Sequence, residues 1–345
     1  MVHPLMSPMG GGERLCCETI RAARSFGHEV VLLSEEFDPH RLETFFGFDH
    51  LFERVEVRMY RRGSGLKAGL YGDLLRRLRR QERLLPDDST YDLVFSTQDA
   101  GYIPDVSKAV IQWGYFPNPL PRGIYGWPAR QHYRQKIKRI GLVLAISEYS
   151  KKHLDQAWNV SSRVVYPACN LIRIGGPKEN LVVTAARAVP EKRLEIFWKV
   201  ARQSPGFRFT LLLTVDPRFS EYAREIALGA PDNARVLVNP GKDLYHKTLS
   251  SARVYLHLME GEHFGITVVE AMSAGCVPVV HDSGGPKEIV DNCGFLWRNW
   301  EDIPSLLITA MESSGSLSNA AKARADSFSR ERFDGALAEV LGRGS

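Results

Sequence analysis

The chain has 345 residues, of which 44% are hydrophobic and 25% charged, a composition typical of a globular protein long enough for two domains. It contains no run of about 18 apolar residues and no basic segment followed by an apolar one at its start, which argues against a membrane span and a signal peptide and predicts a cytoplasmic protein. Its five cysteines show no CxxC spacing and favour reduced thiols over disulfides or zinc, so we expect no structural metal. We also expect no cofactor.

The excess positive charge lies in the first half of the chain. Residues 1–172 hold 24 Lys and Arg against 19 Asp and Glu, whereas residues 173–345 hold 21 of each. Two blocks are especially basic, with nine basic and two acidic residues over 58–83 and seven against one over 130–152. Such blocks indicate either a solvated helix face or a surface for an anionic partner such as lipid phosphates. They lack interleaved aromatic residues for base stacking, so nucleic acid is not the expected partner.

Short β-branched runs alternate with amphipathic stretches in the first half of the chain, which predicts a parallel sheet covered by helices. The predicted strands are 28–34, 91–97, 109–113, 141–147 and 163–168. The glycine-rich turn at Gly10, Gly11 and Gly12 precedes a predicted helix, where a backbone without side chains can approach an anion. An ordinary tight turn is the alternative. Few residues precede the turn, so the first strand is expected to be short or irregular.

The pattern restarts after a Gly- and Pro-containing stretch at 169–180. The predicted strands of the second half are 181–186, 208–214, 235–239, 253–258 and 276–282. We therefore predict two Rossmann-like α/β domains, 1–172 and 173–328, and a terminal helix in 329–345 that packs back on the first domain.

Two cations open the second half. Arg187 ends a predicted strand, and Lys192 lies five residues later at a predicted helix start. Because the carboxyl ends of strands in doubly wound sheets face the ligand crevice, both can converge on a diphosphate. The alternative is a pair of surface bases near a turn.

The stretch "EGEHFGITVVEAMSAG" (260–275) predicts a helix that begins near Gly265 and ends before Gly275. The N–H groups of residues 264–266 would then lack intrahelical acceptors and could bind phosphate or sugar oxygens. Glu262 lies just outside and can reach a sugar hydroxyl, while Glu270 can accept from two neighbouring hydroxyls, as on a ribose. The alternatives are a helix-capping Glu262 and a solvated Glu270.

These motifs, in this order, resemble the retaining glycosyltransferases of family 4. The resemblance lies in "EHFGITVVE" followed by "AGCVPVVHDSGGPKEIV", which is similar to the family's E-x7-E signature and Gly-Gly loop, and in "GGGER", "AISEYSKKHL", "VVYPACN" and "RAVPEK". It is strongest to the mannosyltransferases that extend dolichol-linked oligosaccharides. The resemblance implies a GT-B fold, two Rossmann-like domains whose parallel sheets face an interdomain cleft, with a nucleotide-sugar donor bound there and no metal.

The resemblance also implies roles for individual residues. Gly10 and Gly11 would approach the diphosphate, and Arg187 and Lys192 would neutralise it as it leaves. Glu262 would bind hydroxyls of the donor sugar and Glu270 the ribose. The backbone of Phe264, Gly265 and Ile266 would hold sugar and phosphate.

One position departs from the family pattern. Relatives often carry histidine before an aromatic-Pro pair, whereas "IQWGYFPNP" has Tyr115 there. A phenol with an ordinary pKa near 10 is a poor base. Tyr115 is therefore a candidate for contact with the acceptor or cleft only.

The sequence thus predicts a metal-independent retaining hexosyltransferase that uses a nucleotide sugar, with GDP-mannose favoured. The basic first half suggests a polyprenyl-linked or other glycan acceptor and a peripheral position on the inner face of the membrane. The alternatives are a transferase of the same family that uses UDP-sugars, a GT-B nucleotide-sugar epimerase and a non-catalytic nucleotide-sugar-binding module.

Overall fold

The computed structural model describes residues 1–61, 69–118, 120 and 123–342. The chain divides into two compact units. One contains residues 1–167 and the chain from Phe333 onward, and the other contains Ala168–Arg332. The sequence-based boundaries were 172 and 328, a few residues from these divisions.

The first unit is an α/β structure whose strands are all parallel. Its strands are β1 (Val31–Glu35), β2 (Glu56–Tyr60), β3 (Leu93–Ser96), β4 (Ala109–Gly114), β5 (Leu142–Ala145) and β6 (Arg163–Val164). Its helices are α1 (Gly11–Ser25), α2 (Pro39–Phe46), α3 (Gly69–Glu82), α4 (Trp127–Ile137) and α5 (Glu148–Trp158). Strand β2 was not predicted, because its residues "EVRMY" alternate with charged side chains.

Residues 1–4 complete the sheet of the first unit. Val2 forms parallel bridges to Leu33 of β1 and to Ser96 of β3. The backbone N–H of Val2 donates to Phe95, and that of His3 donates to Leu33, at 2.8 and 3.1 Å. The strand order is therefore β2-β1-(1–4)-β3-β4-β5-β6. The short, irregular first strand was predicted, and it occupies the centre of the sheet.

The final helix belongs to the first unit over most of its length. The ring of Phe333 stacks on Trp113 of β4, with centroids 6.2 Å apart and planes 13° from parallel. Asp334 pairs with Arg21 of α1. Both aromatic rings are almost fully buried, so the end of the chain contributes to this core.

The second unit contains a parallel sheet in the order β12-β11-β10-β7-β8-β9. Its strands are β7 (Glu179–Arg187), β8 (Arg208–Thr214), β9 (Ala234–Val238), β10 (Ala252–Leu256), β11 (Val277–His281) and β12 (Phe295–Trp297). The helices from here to the end of the described chain are α6 (Leu194–Gln203), α7 (Ser220–Leu228), α8 (Lys242–Ser251), α9 (Ile266–Ser273), α10 (Gly284–Val290), α11 (Ile303–Glu312), α12 (Ser314–Ala325) and α13 (Arg330–Leu341). The three-residue β12 was too short to predict.

In this parallel sheet the order in which successive strands are added reverses between β7 and β10. The strands before β10 add on one side of β7, and the strands from β10 onward add on the other. Ligands of doubly wound sheets bind outside the carboxyl ends of the strands at such a reversal. The loops after β7 and β10 are therefore the first place to look for a site.

No helix within the described ranges is long and apolar enough to cross a membrane.

Candidate active site

The loops after β7 and β10 carry the charged side chains singled out in the sequence. Strand β7 ends at Arg187, and Lys192 closes the short turn Pro190–Lys192 that leads into α6. His257 and Glu262 follow the end of β10. The reversal of strand order thus brings residues 70 positions apart to one edge of the sheet.

Lys192 and Glu262 form an ion pair between Nζ and Oε2, with side chains 19% and 17% exposed. Nε2 of His257 lies 3.6 Å from the same carboxylate oxygen. Burial by itself would raise the pKa of Glu262, but Lys192 and His257 lower it by more, so the carboxylate is ionised well below its usual pH range. Burial lowers the pKa of His257, which leaves the imidazole neutral at pH 7.

The loop that carries Glu262 is held by the Gly-Gly turn of α10. The N–H of Gly285 donates to the carbonyl of Glu262 at 2.8 Å. A Cβ on Gly284 would lie 2.4 Å from that carbonyl oxygen, and one on Gly285 would lie 2.6 Å from the carbonyl oxygen of His263. The backbone that lies against these two glycines is therefore that of the 261–264 loop.

Ser283 adds a second tie to this loop. Its Oγ accepts a hydrogen bond of 2.9 Å from the N–H of Gly261 and lies 2.7 Å from Nδ1 of His281. The ring of His281 in turn packs edge-on against Trp297, 4.6 Å between centroids. Glu262 is therefore positioned by a loop fixed on both sides.

Helix α9 begins one residue after the predicted start. Gly265 is its N-cap at φ 111°, a left-handed conformation that favours glycine. The first N–H groups of an α-helix have no acceptor one turn back, although here the N–H of Val268 donates to the carbonyl of Gly265 at 3.0 Å. Phe264 is 3% exposed, and its ring lies edge-on to Phe328 at 5.7 Å, so its side chain packs in the interior and is not available to a ligand. With Gly265 as the N-cap, Glu262 does not cap this helix.

Glu270 lies in the same helix and is 7% exposed, which excludes the alternative of a solvated residue. The hydroxyl of Tyr245, on α8, donates to its Oε2 at 2.7 Å. The carboxylate is thus held in one orientation. Arg187 differs from these residues because its side chain is exposed at the end of β7.

Gly10 and Gly11 lie in the first unit, after the central 1–4 segment. Gly10 is the N-cap of α1, and its N–H donates to Oε2 of Glu13 at 2.5 Å. Glu13 is itself buried, 3.5 Å from Nε2 of His3. Burial lowers the pKa of His3, but Cys16 and Glu13 raise it by more, to about 10. Glu13 therefore links the glycine turn to His3.

Tyr115 follows β4 in the first unit. Its hydroxyl donates to the carbonyl of Thr97 at 2.7 Å and lies 3.4 Å from the carbonyl of Gly12. Burial raises the pKa of this phenol well above its usual value. Tyr115 links the end of β3 to the glycine turn and is unsuited to act as a base.

Two residues of the site were missed in the sequence. His257 was not predicted as a site residue, although a polar residue directly after a strand next to the change of strand order was a usable signal. Tyr245 gave no signal, because its pairing with Glu270 joins two helices 25 positions apart. Among the described residues, no three His, Cys, Asp or Glu side chains cluster as metal ligands would. Metal independence stays a prediction.

Comparison with known proteins now adds to this geometry. Residues 174–325 match the family described as glycosyl transferases group 1. This range contains Arg187, Lys192, His257 and Glu262, the residues that follow β7 and β10. These residues form a glycosyltransferase group 1 domain. The family prediction from sequence is confirmed.

Two curated relatives of this chain have the same name. A human protein called GDP-Man:Man(3)GlcNAc(2)-PP-Dol alpha-1,2-mannosyltransferase is 28% identical over 228 residues, 56% of this chain and 46% of the relative. A Xenopus laevis protein of the same name is 33% identical over 171 residues, 42% of this chain and 35% of the relative. The chain thus spans about half the length, or less, of the curated relatives it matches.

The crystal structure of Anabaena HepE in complex with UDP and glucose is similar over 99% of this chain and 98% of that one, with a TM-score of 0.73 and 18% identity. The chain has the GT-B fold, as predicted from sequence.

Proposed function

We propose that the protein is a retaining hexosyltransferase that moves mannose from GDP-mannose to a lipid-linked or other glycan acceptor. The observation that carries the proposal is the paired Lys192 and Glu262 at the strand reversal, beside the start of α9. A cation, a carboxylate and a helix N-terminus at one edge are what a nucleotide sugar requires.

The proposed roles divide the donor into three parts. Glu262 accepts hydrogen bonds from hydroxyls of the donor sugar, and Glu270, oriented by Tyr245, accepts from the ribose. The backbone N–H groups at 264–266 bind phosphate and sugar oxygens between them. In the first unit, Gly10 and Gly11 would approach the diphosphate.

The chemistry breaks the bond between the anomeric carbon and the phosphate oxygen. Negative charge then develops on the diphosphate, and Lys192 and Arg187 stabilise it without a metal. Retention follows from attack on the same face, in which the acceptor oxygen bonds to the anomeric carbon and the leaving phosphate oxygen takes the acceptor proton. Tyr115 would contact the acceptor without exchanging its proton.

The names of the relatives support mannose, GDP and a dolichol-linked acceptor. The chain spans less than half of the length of these relatives. The acceptor is therefore the part of the proposal that their names constrain least. A panel of GDP, UDP and ADP in thermal shift, followed by transfer assays with GDP-mannose and a polyprenyl-diphosphate-linked oligosaccharide, tests donor and acceptor in turn. We expect GDP to give the largest shift, and NMR of the product to show an α-linkage. A β-linked product would contradict retention, and free epimerised nucleotide sugar would favour the epimerase.

The same assay tests the leaving-group role. Lys192→Ala is expected to lower turnover by orders of magnitude while the fold is kept. Near-normal turnover in this variant would contradict the assignment.

We also propose a peripheral position on an anionic membrane face. Helix α4 and the two residues after it carry basic residues and no acidic residue over 127–139. Trp127 is 59% exposed, Arg134 is exposed seven positions later on the same face of the helix, and the exposed Lys138 is the C-cap. Ile124, just before the helix, is 82% exposed. An apolar tip with a basic stripe fits an anionic lipid interface.

Not every basic residue of the two blocks contributes to this face. Lys136 is 3% exposed and pairs with Asp105 at 2.8 Å, so it belongs to the interior of the first unit. Residues 62–68 of the other basic block lie outside the described residues.

A further inference from the structure

Four charged or titratable side chains follow β7 and β10: Arg187, Lys192, His257 and Glu262. His257 is the least exposed of them, with 5% of its surface accessible. Its Nε2 lies 3.6 Å from Oε2 of Glu262, the oxygen that Lys192 also contacts. Within the described residues, Nδ1 of His257 has no hydrogen-bond partner. The acceptor beside the imidazole is therefore the carboxylate of Glu262.

The backbone of His257 is fixed from two strands. Its N–H donates to Val279 of β11 at 2.9 Å, and its carbonyl accepts from Nε1 of Trp297 at 3.1 Å. The loop of Glu262 is held through its backbone, which leaves the direction of the carboxylate to its side-chain partners. A ring on a rigid element beside a carboxylate on a loop can set the position of that carboxylate.

A second partner for the carboxylate of Glu262 is useful because the first partner, Lys192, has another proposed role. Lys192 is paired with Glu262 here, whereas the proposed function also gives Lys192 the leaving diphosphate. If Lys192 moves toward a diphosphate, the negative charge of Glu262 loses part of its neutralisation while it is only 17% exposed to solvent. The imidazole of His257 then remains as the neighbour of this carboxylate.

We propose that His257 is a positioning residue for Glu262, whose Nε2–H holds the carboxylate against the donor sugar while Lys192 turns to the leaving diphosphate. This proposal rests on the proposed function. The hydrogen must be on Nε2, because a carboxylate only accepts. The charged or titratable groups that act on the imidazole are Glu262, Lys192 and His281.

NMR of ¹⁵N-labelled histidine tests the contact without turnover. We expect the Nε2–H tautomer. Glu262→Gln removes a negative charge and is expected to lower the pKa of His257, whereas Lys192→Ala removes a positive charge and is expected to raise it. Saturating GDP should raise it as well, because Lys192 is drawn away. The Nδ1–H tautomer, or a pKa unmoved by both variants, would overturn the proposal.

Two variants of His257 separate positioning from packing. Glutamine carries an amide nitrogen near the place of Nε2, and asparagine carries one near Nδ1. We expect His257→Gln to keep kcat within about threefold, and His257→Asn to lower kcat at saturating donor by at least about tenfold at an unchanged melting temperature. Equal losses in the two variants would mean a purely structural role and overturn the proposal.

Failure of the proposed function gives a different result. If the wild-type protein turned over no nucleotide sugar, the transferase proposal would fail, while the tautomer and the pKa shifts would still report whether His257 holds Glu262. If the wild-type protein were active and His257→Asn equally active, only the positioning role would fail.

Discussion

The hydroxyl of Tyr245 donates a hydrogen bond of 2.7 Å to Oε2 of Glu270, and this carboxylate is 7% exposed. The bond joins α8 to α9, the helices on either side of β10 in the chain. A buried carboxylate with one oxygen held in this way presents its remaining acceptor sites in a fixed direction. That is the arrangement that a ribose with two neighbouring hydroxyls would use.

Tyr245→Phe is therefore expected to weaken donor binding more than turnover. A hydrogen bond to a charged group contributes about 1.5–3 kcal/mol, so the Kd for GDP should rise roughly tenfold or more, while kcat at saturating donor changes little. Calorimetric titration with GDP measures the first quantity, and Lys247→Ala, an exposed change on the same helix, is the control. An unchanged Kd would remove Glu270 from the nucleotide site.

Glu262→Gln is expected to lower kcat roughly a hundredfold, because the neutral amide binds sugar hydroxyls less strongly and leaves Lys192 uncompensated. Glu260 offers a matched control two residues earlier. It is 50% exposed and pairs with Arg193, so Glu260→Gln should keep nearly full activity. Equal activities in the two variants would contradict the role of Glu262.

Glu262 also predicts a pH dependence of stability. Its pKa in the folded protein is lowered, so its contribution to the free energy of unfolding is present above its ordinary value near 4.5 and is lost as pH falls through the lowered pKa. The difference in unfolding free energy between the wild-type protein and Glu262→Gln should therefore shrink from pH 5 downward. Urea unfolding at a series of pH values measures it, and a constant difference would show that the pKa is not lowered.

Gly285→Ala is expected to destabilise the second unit. The new Cβ would lie 2.6 Å from the carbonyl oxygen of His263 and from the Cα of Phe264, both backbone atoms that cannot move independently. Overpacking of this kind costs about 1–3 kcal/mol and would displace the Glu262 loop, so activity should fall with stability. Gly315→Ala is the control, since nothing lies within 4 Å and it replaces a helical glycine with a gain of about 0.5–1 kcal/mol.

Trp127 reports directly on the proposed membrane contact. Its 59% exposed ring should shift its fluorescence to shorter wavelength with vesicles of phosphatidylserine and phosphatidylcholine, and Trp127→Phe should lose that shift. Arg134→Glu reverses one charge on the same face and should weaken binding by about 2 kcal/mol, or roughly thirtyfold. Arg202→Glu, exposed in the second unit, should leave binding unchanged. Equal binding to neutral vesicles would contradict an electrostatic surface.

The sequence by itself determined the fold and the family. Its strands are nearly continuous apolar runs, and its E-x7-E stretch and Gly-Gly turn occur within one short region, so that local patterns were sufficient. The same patterns predicted that β7 ends at Arg187 and that a helix begins near Gly265, one residue before its observed start. Strands β2 and β12 were missed because one alternates with charges and the other has three residues.

Only the tertiary structure decided which side chains meet. The pairing of Lys192 with Glu262 and of Tyr245 with Glu270 depends on β10 lying beside β7, an adjacency of strands that no local pattern encodes. The sequence of the Gly-Gly turn, Gly284 and Gly285, would be the same whether a ligand or another backbone lay against it. The structure shows that the backbone of residues 261–264 does. Contacts between distant segments follow from the order of strands in the sheet, and that order is set by packing of the whole domain.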